Sequence, residues 1–577
     1  MHNINMKKNI FKNIIPAAAL LLTAGMASCT GDLDKGNIDP TVETDVNLDA
    51  LYTKCYAGLV MEGNDGAADF SIDDAGKSTL IRNIYNFNEL PTDESICWWS
   101  DGGIVEIGYN QWEPGHASLK FLYYRIMSNI TFCNKFLKEV GEGERATQTA
   151  EVRFLRAYHY YLLMDFFGDP PFIDENNLGS NENPKQAHEM NGNENLASRE
   201  EMLVAGRRNL YNWIMAELNA CEPDMIEAKP NNDKEADYGR ADKAAVWFLK
   251  SRLLLNSNIY LSMDDSDAKY QANLQEVVKL SDQIAAAGYS LCTKTVGNYH
   301  GYDLLFMGDN GSNGAQQEAI LPLLQDGKTT TGWGGTLFFI ACHWNANLRT
   351  VTGQTAGTTG NTWAGMRCRP AFVNKLYAAT DTEGKTAAEI REASQDDRAL
   401  FCGLEEKVEE DGTITYTPRS SSLGKNTEFA GVAAVKWNNN YSTGASPHDA
   451  YYVDTDFLLF RYGETVLNKA EALLRLGQVQ EAVEVVNELR ARANTSPMET
   501  LTMDNMLDER AREMYLEGVR RVDLIRFHQF GGQQATYQWE YKGGVEKGIN
   551  FDAYRNVYPI PTSEIDANSN LEQIYGY

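Results

Sequence analysis

Groups suited to nucleophilic or metal chemistry are scarce in this 577-residue chain. There are eight histidines, none in an HExxH pair, and nine cysteines without a CxxC spacing. A GxSxG turn and a Gly-rich phosphate loop are also missing, which removes the commonest serine hydrolases, zinc peptidases and nucleotide-binding enzymes. Basic residues are the minority charge: 52 Lys and Arg face 80 Asp and Glu, for a net charge of −28. A field of that sign repels phosphate backbones, so nucleic acid is excluded as a partner. It equally disfavours lying flat on an anionic membrane, whereas a neutral ligand suits it. No apolar run reaches the roughly 20 residues of a membrane-spanning helix. Prolines number 16, and no Pro/Gly/Ser-rich linker or long charge block divides the chain into separate domains.

What is present begins at the N-terminus. Lys7, Lys8 and Lys12 precede a short apolar run over residues 14–22, and Met26-Ala27-Ser28 leads into Cys29. This pattern is that of a cleaved export signal. It resembles a lipoprotein signal, in which residues 1–28 are removed and Cys29 becomes the lipidated first residue. Residues 29–45 then read as a lipidated cysteine and polar tether, and residues 46–577 as a single body. Several acyl chains, each CH₂ contributing ~0.8 kcal/mol when buried, would hold that body on a bilayer. The remaining eight cysteines lie mostly beside apolar residues, so buried free thiols are expected although export permits disulfides.

Helical periodicity dominates the body. Apolar residues recur at three- and four-residue steps over 150–167, and residues 119–140, 202–220, 243–260 and 274–287 read as further helices. Leu459, Tyr462, Val466, Ala470 and Leu473 stripe a helix that stops at Gly477. Val479, Ala482, Val486, Leu489 and Ala493 stripe the next. Two helices joined at one glycine form an αα-hairpin. AEALLRLGQVQEAVEVVNELR resembles a tetratricopeptide unit, although no clean 34-residue period runs through the chain. Three long irregular stretches interrupt the helices, at 86–112, 327–366 and 402–456, with short strands suggested near 413–416 and 431–437. Structureless stretches of that length usually carry function.

Four ordered motifs resemble the SusD/RagB lipoproteins of Bacteroidetes. They are Glu151-Val152-Arg153-Phe154-Leu155-Arg156-Ala157-Tyr158 closing at Phe167-Gly168-Asp169-Pro170-Pro171, Phe460-Arg461-Tyr462-Gly463-Glu464 through Ala472, Glu509-Arg510 through Arg526, and Tyr558-Pro559-Ile560-Pro561 with Glu564. Gly463 stands where alanine is commoner in that family. The resemblance implies a mostly α fold: degenerate tetratricopeptide-like hairpins form a scaffold (about 46–325 and 456–577), and an inserted irregular, minor-β region binds ligand (about 60–115 and 326–455). It also implies a place on the outer face of the outer membrane, as a non-catalytic lid on a SusC-like TonB-dependent transporter that captures a glycan, or sometimes a peptide, for import. A membrane contact is implied through the lipid anchor alone. With 80 acidic residues, a catalytic carboxylate pair cannot be told apart by sequence, so an all-helical polysaccharide hydrolase or lyase stays open as the alternative.

Sugars offer apolar C–H faces and a rim of hydroxyls, so a glycan site wants exposed aromatic platforms beside polar groups. Two islands supply that mixture. Asp93, Glu94, Trp98, Trp99, Ser100 and Asp101 fall together, and on extended backbone Trp98 and Trp99 point to opposite sides. In the family, the segment after a comparable ELPTDE stretch often lies near the ligand. Trp333, Trp344 and Trp363, with Asn345 and Arg367, form the second island in a stretch almost free of charge. Trp437 with Asn438–Tyr441 is a weaker third. The candidate glycan-binding residues are therefore Trp98, Trp99, Asp101, Trp333, Trp344, Asn345, Trp363 and Arg367, weighed against burial of the same rings in a core. The stripe Arg461, Glu464, Asn468, Glu471 and Arg475 reads as intrahelical ion pairing, and the Arg510–Arg521 cluster as a structural network. No cofactor is expected. Asp264-Asp265-Ser266-Asp267 lacks calcium-loop spacing, which leaves only a weak surface calcium site open there.

Overall fold

A computed structural model describes residues 46–62, 75–192, 196–230, 235–424 and 430–577. Cys29 and its tether lie outside the described residues. Tyr52–Tyr577 form one unit.

The helices that build the scaffold and back the cleft are α1 (Leu48–Ala57), α2 (Leu80–Asn88), α3 (Leu119–Glu139), α4 (Ala146–Phe167), α5 (Arg199–Cys221), α6 (Lys243–Leu255), α7 (Ala268–Ala286), α8 (Thr336–His343), α9 (Tyr462–Arg475), α10 (Val479–Arg492), α11 (Met503–Met514) and α12 (Arg520–Arg526), with other short helices and turns between them. They pack in sequence-adjacent pairs, α3 on α4, α4 on α5, α6 on α7 and α9 on α10, and α9 also packs on α7. Caps set several of the starts: Ser198, Asp242 and Thr502 each accept a backbone N–H from the first turn that follows. The apolar stripe of α9 meets that of α10 through Val466, Leu467, Ala470 and Leu473 against Ala482, Val486 and Leu489. Ala472, on the same helix, joins Leu254, Leu274, Val277 and Leu280 of α6 and α7. Small residues at the crossings let these backbones approach, and the mostly α, tetratricopeptide-like scaffold follows from that.

The strands are short: β1 (Ser95–Cys97), β2 (Ala319–Leu323), β3 (Met366–Cys368), β4 (Phe401–Cys402), β5 (Leu404–Val408), β6 (Ile414–Pro418), β7 (Ala433–Ala434) and β8 (Phe457–Arg461). They pair two by two, as β1–β3, β2–β8, β4–β7 and β5–β6, all antiparallel. One sequence expectation changes here. Leu459 belongs to β8, and the helix begins only at Tyr462. Phe457–Arg461 is buried along its whole length, and its short apolar run Phe457–Phe460 reads alike as buried strand or buried helix.

The stripe from Arg461 at the end of β8 along α9 is structural, but its partners are mostly not intrahelical. Arg461 pairs with Glu318 (2.9 Å), Glu513 (2.7 Å) and Glu517 (2.6 Å), all essentially without solvent. Arg492 pairs with Glu318 (3.2 Å) and with Glu513, and Arg398 with Glu509 (2.8 Å), Glu513 (3.3 Å) and Asp396 (2.8 Å). Glu464 is taken by Arg252, and Glu471 by Arg526. Within the stripe only Arg475–Glu471 pairs along the helix. Gly463 now has a reason: a Cβ there would collide with the Arg461 guanidinium and lie 2.9 Å from the Glu318 carboxylate. Arg153 and Arg156 both reach Glu217 on α5, and Asp165 is paired with Arg521.

Burial alone would favour a protonated Glu513. The charges of Arg492, Arg461 and Arg398 overcome this and hold its carboxyl down to about 2. The folded value lies below the unfolded value of ~4.3, so this contribution is complete above that pH and is lost as pH falls towards 2. The melting temperature, followed by calorimetry, is expected to drop across that acid window. Arg461→Met strands Glu318, Glu513 and Glu517 with fewer counter-charges and is expected to cost about 3–5 kcal/mol in urea unfolding. Arg475→Met, which leaves Glu471 with Arg526, should cost clearly less.

Candidate functional site

The two tryptophan islands, 235 residues apart by their first rings, are joined by a three-residue ribbon. Ser95, Ile96 and Cys97 of β1 face Cys368, Arg367 and Met366 of β3, and Trp98 N–H extends the ribbon by donating to Gly365 O at 2.9 Å. The acidic stretch before β1 is nailed down from the opposite side. Arg520 grips Asp93 through two hydrogen bonds of 2.7 and 2.8 Å, and Tyr537 donates to the same carboxylate. Glu94 accepts Leu516 N–H, and Glu89 accepts Gly518 and Val519 N–H. Asp93 and Glu94 are thus buried supports, not ligand groups.

Beyond the ribbon the chain alternates as extended backbone requires. Trp98 is half-buried beneath the Arg367 guanidinium, which lies 4.4 Å from the ring centroid. Burial, reinforced by the charge of Arg419, lowers Arg367 to about 10. Trp99 turns to the other side and lines an open cleft of about 470 Å³ together with Trp333, Trp363, Lys77, Arg82 and Asp101. Three indoles follow one another along it. Trp99 and Trp363 have centroids 6.5 Å apart, tilted by 53°, and Trp363 and Trp333 are 6.4 Å apart, tilted by 36°. Tyr452 adjoins Trp333 at 5.4 Å. Trp333 is 41% exposed. A second hollow of about 230 Å³ adjoins the cleft, sharing Lys77, Arg82, Trp99 and Asp101 and extending to Asn83, Asn86 and Ser118.

Each ring is held from behind. Trp333 N–H donates to the Glu62 carboxylate at 3.2 Å, and the adjacent Gly334 carbonyl accepts from Thr79 Oγ1 at 2.7 Å. Trp363 N–H donates to Ala341 O at 2.7 Å, fixing it on α8. Trp99 lies edge-on to Phe338 of the same helix at 6.3 Å. Gly365 has φ of +110°, and a Cβ there would run into the Trp99 indole; glycine is the residue that allows both the backbone and the ring. Lys77 and Asp101 face each other at 3.7 Å on the polar rim, and Arg82 stacks on Phe338 at 4.6 Å. The cleft therefore offers tilted aromatic faces beside charges of both signs.

Four of the eight candidates, Trp99, Asp101, Trp333 and Trp363, meet in this cleft. Trp98 and Arg367 lie behind it as a stacked pair. Trp344 and Asn345 need correction. Trp344 is 0% exposed and donates Nε1–H to Trp437 O at 2.8 Å, so it is core. Asn345 gives its amide to Glu405 at 2.9 Å and does not line the cleft. Trp437 is also core, stacked 5.5 Å from Phe457 with an interplanar angle of 12°. A loop tryptophan can thus serve as the plug over a helix. The sequence reading missed Lys77, Arg82 and Tyr452. Tyr452 carried the signal that singled out the tryptophans, an aromatic in an irregular stretch, whereas nothing local marks Lys77 or Arg82.

A curated relative settles the family. The starch-binding protein SusD of Bacteroides thetaiotaomicron is 34% identical over 613 residues, covering 99% of this chain and all of that one. The chain belongs to the SusD family. The model of the SusD family matches residues 318–577. Among solved structures, a SusD-like protein from Bacteroides fragilis aligns with a TM-score of 0.64 at 18% identity, covering 94% of this chain and 100% of that chain. Surface glycan-binding protein A from Bacteroides thetaiotaomicron, solved with laminarihexaose, aligns with a TM-score of 0.60 at 18% identity, covering 91% and 98%. These structural likenesses establish that the SusD fold is shared. Among the described residues of this SusD-family chain, no group of three or more His, Cys, Asp or Glu is placed to hold a metal ion, and no helix is long and apolar enough to cross a membrane.

The placements separate platform from core. Trp344→Ala is expected to destabilise by about 3–5 kcal/mol, whereas Trp333→Ala should stay within about 0.5 kcal/mol of the parent, both read by urea unfolding.

Proposed function

We propose that this chain is a cell-surface glycan-binding lipoprotein of the outer membrane that captures an oligo- or polysaccharide and delivers it to a SusC-like TonB-dependent transporter without transforming it. The observation that carries this reading is the run Trp99–Trp363–Trp333 along one cleft. Successive rings lie one sugar-sized step apart and are tilted, so they form a curved apolar track with Lys77, Arg82 and Asp101 at its rim. A track of that kind suits a chain that coils, each sugar resting a C–H face on one indole while its hydroxyls reach the polar groups. The name of the 34%-identical relative points the same way, towards an α-glucan of the starch type. The Cys29 signal supports lipid anchoring, which would keep the cleft at high local concentration over its transporter. No cofactor is invoked.

Affinity electrophoresis against starch, laminarin and a flat β-glucan, run with a reducing-sugar assay, tests the reading. Retardation by at least one glycan, strongest for starch, is expected without release of reducing ends. Measurable turnover would sink the binding-only reading. Trp99→Ala and Trp363→Ala each remove one stacking face, about 1.5–3 kcal/mol of buried aromatic surface, and should weaken binding ten- to a hundredfold. Asn345→Ala should leave binding unchanged.

A further inference from the structure

The hollow beside the tryptophan cleft takes no part in the stacking track, yet its walls are of two distinct kinds. Lys77, Arg82, Trp99 and Asp101 line both spaces and so stand between them. Beyond these four the hollow is the more enclosed of the two. At about 230 Å³ against about 470 Å³, it has room for one sugar unit and not for a chain. Its apolar side is made by Ile104 and Phe121, both buried. Its polar side comes from α2, where Asn83 and Asn86 lie three residues apart and therefore on one face.

Donors on that polar side are already committed. Asn83 Nδ2 donates to Lys77 O at 2.9 Å and to Thr79 O at 2.8 Å. Ser118 Oγ donates to Gly102 O at 3.2 Å. What these side chains have left to offer is oxygen lone pairs. Asn86 shows the same bias more strongly. It is 5% exposed, and its Oδ1 has no hydrogen-bond partner within the protein. An unmatched buried carbonyl costs free energy, so an acceptor in this place is explained by a ligand that brings a donor to it. A hydroxyl does so; a carboxylate, which only accepts, does not.

We propose that this hollow is a subsite for one terminal neutral sugar, whose hydroxyls donate to Asn86 Oδ1 while its ring packs on the side formed by Ile104 and Phe121. The terminal unit is either the end of a glucan chain or a single-sugar branch, since both present the same ring and hydroxyls. The proposal rests on the glycan-capture reading, and adds that the protein distinguishes a chain with a terminus near Trp99 from an unbroken run. Trp99 lines both spaces, so it is where the main chain and the terminal unit meet. The stacking track holds the chain, and the hollow selects what ends or leaves it there.

Isothermal titration calorimetry on the full chain with three ligands tests this. One is a cyclic α-1,4-glucan of seven units, which has no terminus. The second is the same ring carrying one α-1,6-linked glucosyl branch, and the third is the linear seven-unit chain. The branched ring, the linear chain or both are expected to bind about three- to tenfold more tightly than the plain ring, the worth of one hydrogen bond to a buried acceptor. Which of them gains tells a branch from a chain end. Asn86→Leu removes the acceptor at nearly constant volume, and Ala117→Phe, at an exposed position on the wall of the hollow, fills its space. Both should bring the favoured ligands down to the affinity of the plain ring, whereas Trp363→Ala, in the cleft alone, should weaken all three alike. Should Asn86→Leu fail to fold, Ala117→Phe carries the test by itself. Equal affinity of the three ligands for the parent protein, or a preference that survives either folded variant, overturns the subsite. Binding of none of the three overturns the α-glucan reading on which it rests, so the two failures are told apart.

Discussion

Glu513 sits at the end of α11 with three guanidiniums around it, from Arg398, Arg461 and Arg492. Those arginines come from the irregular insertion, the last residue of β8 and the end of α10. Glu318 and Glu517 complete the cluster from the start of β2 and the loop after α11. Ions taken this far from water are costly unless every one is matched, and here each charge is shared between partners on different elements. The arrangement tolerates one topology: the insertion must leave the scaffold and return so that Arg398 meets the same carboxylate as Arg461. It explains glycine at 463, where any larger residue would push against the guanidinium.

A second buried pair passes this constraint to the cleft. Arg520, a few residues beyond Glu513, clamps Asp93, and the backbone of residues 516–519 satisfies Glu89 and Glu94. β1 begins at once after that stretch, so the C-terminal motif decides where Trp98 and Trp99 emerge. Pairing with β3 then brings Trp363 beside Trp99, and α8 supports both. The tryptophan track is thus set on short, irregular backbone that is rigid because carboxylates and arginines hold it from beneath.

Much of this was legible before the fold. Helix positions followed from three- and four-residue apolar steps, and the hairpin at Gly477 from its stripes. The four motifs pointed to the SusD family, and the match over 99% of the chain shows it. The difficulty lay in the aromatics. Trp333, Trp344 and Trp363 share the same kind of neighbourhood, Gly, Thr and Asn in a stretch almost free of charge, yet two line the cleft and one is core. Local composition carries no information about which face of a loop meets α8. The pairing of Arg461 was equally hidden, because the helical stripe suggested partners on its own helix while the true partners arrive from other elements.

The sequence by itself determined where most of the long helices run, the acidic charge, and the aromatic material available for a site, and it carries the N-terminal pattern that resembles an export signal ending at Cys29. Those depend on local periodicity, composition and short motifs. Tertiary structure alone decided which indoles reach solvent, that Lys77 and Arg82 line the cleft with them, and that Tyr452 packs beside Trp333. Each of these is a meeting of segments far apart in the chain, set by strand register and helix crossing, and no stretch of residues contains both halves of such a contact.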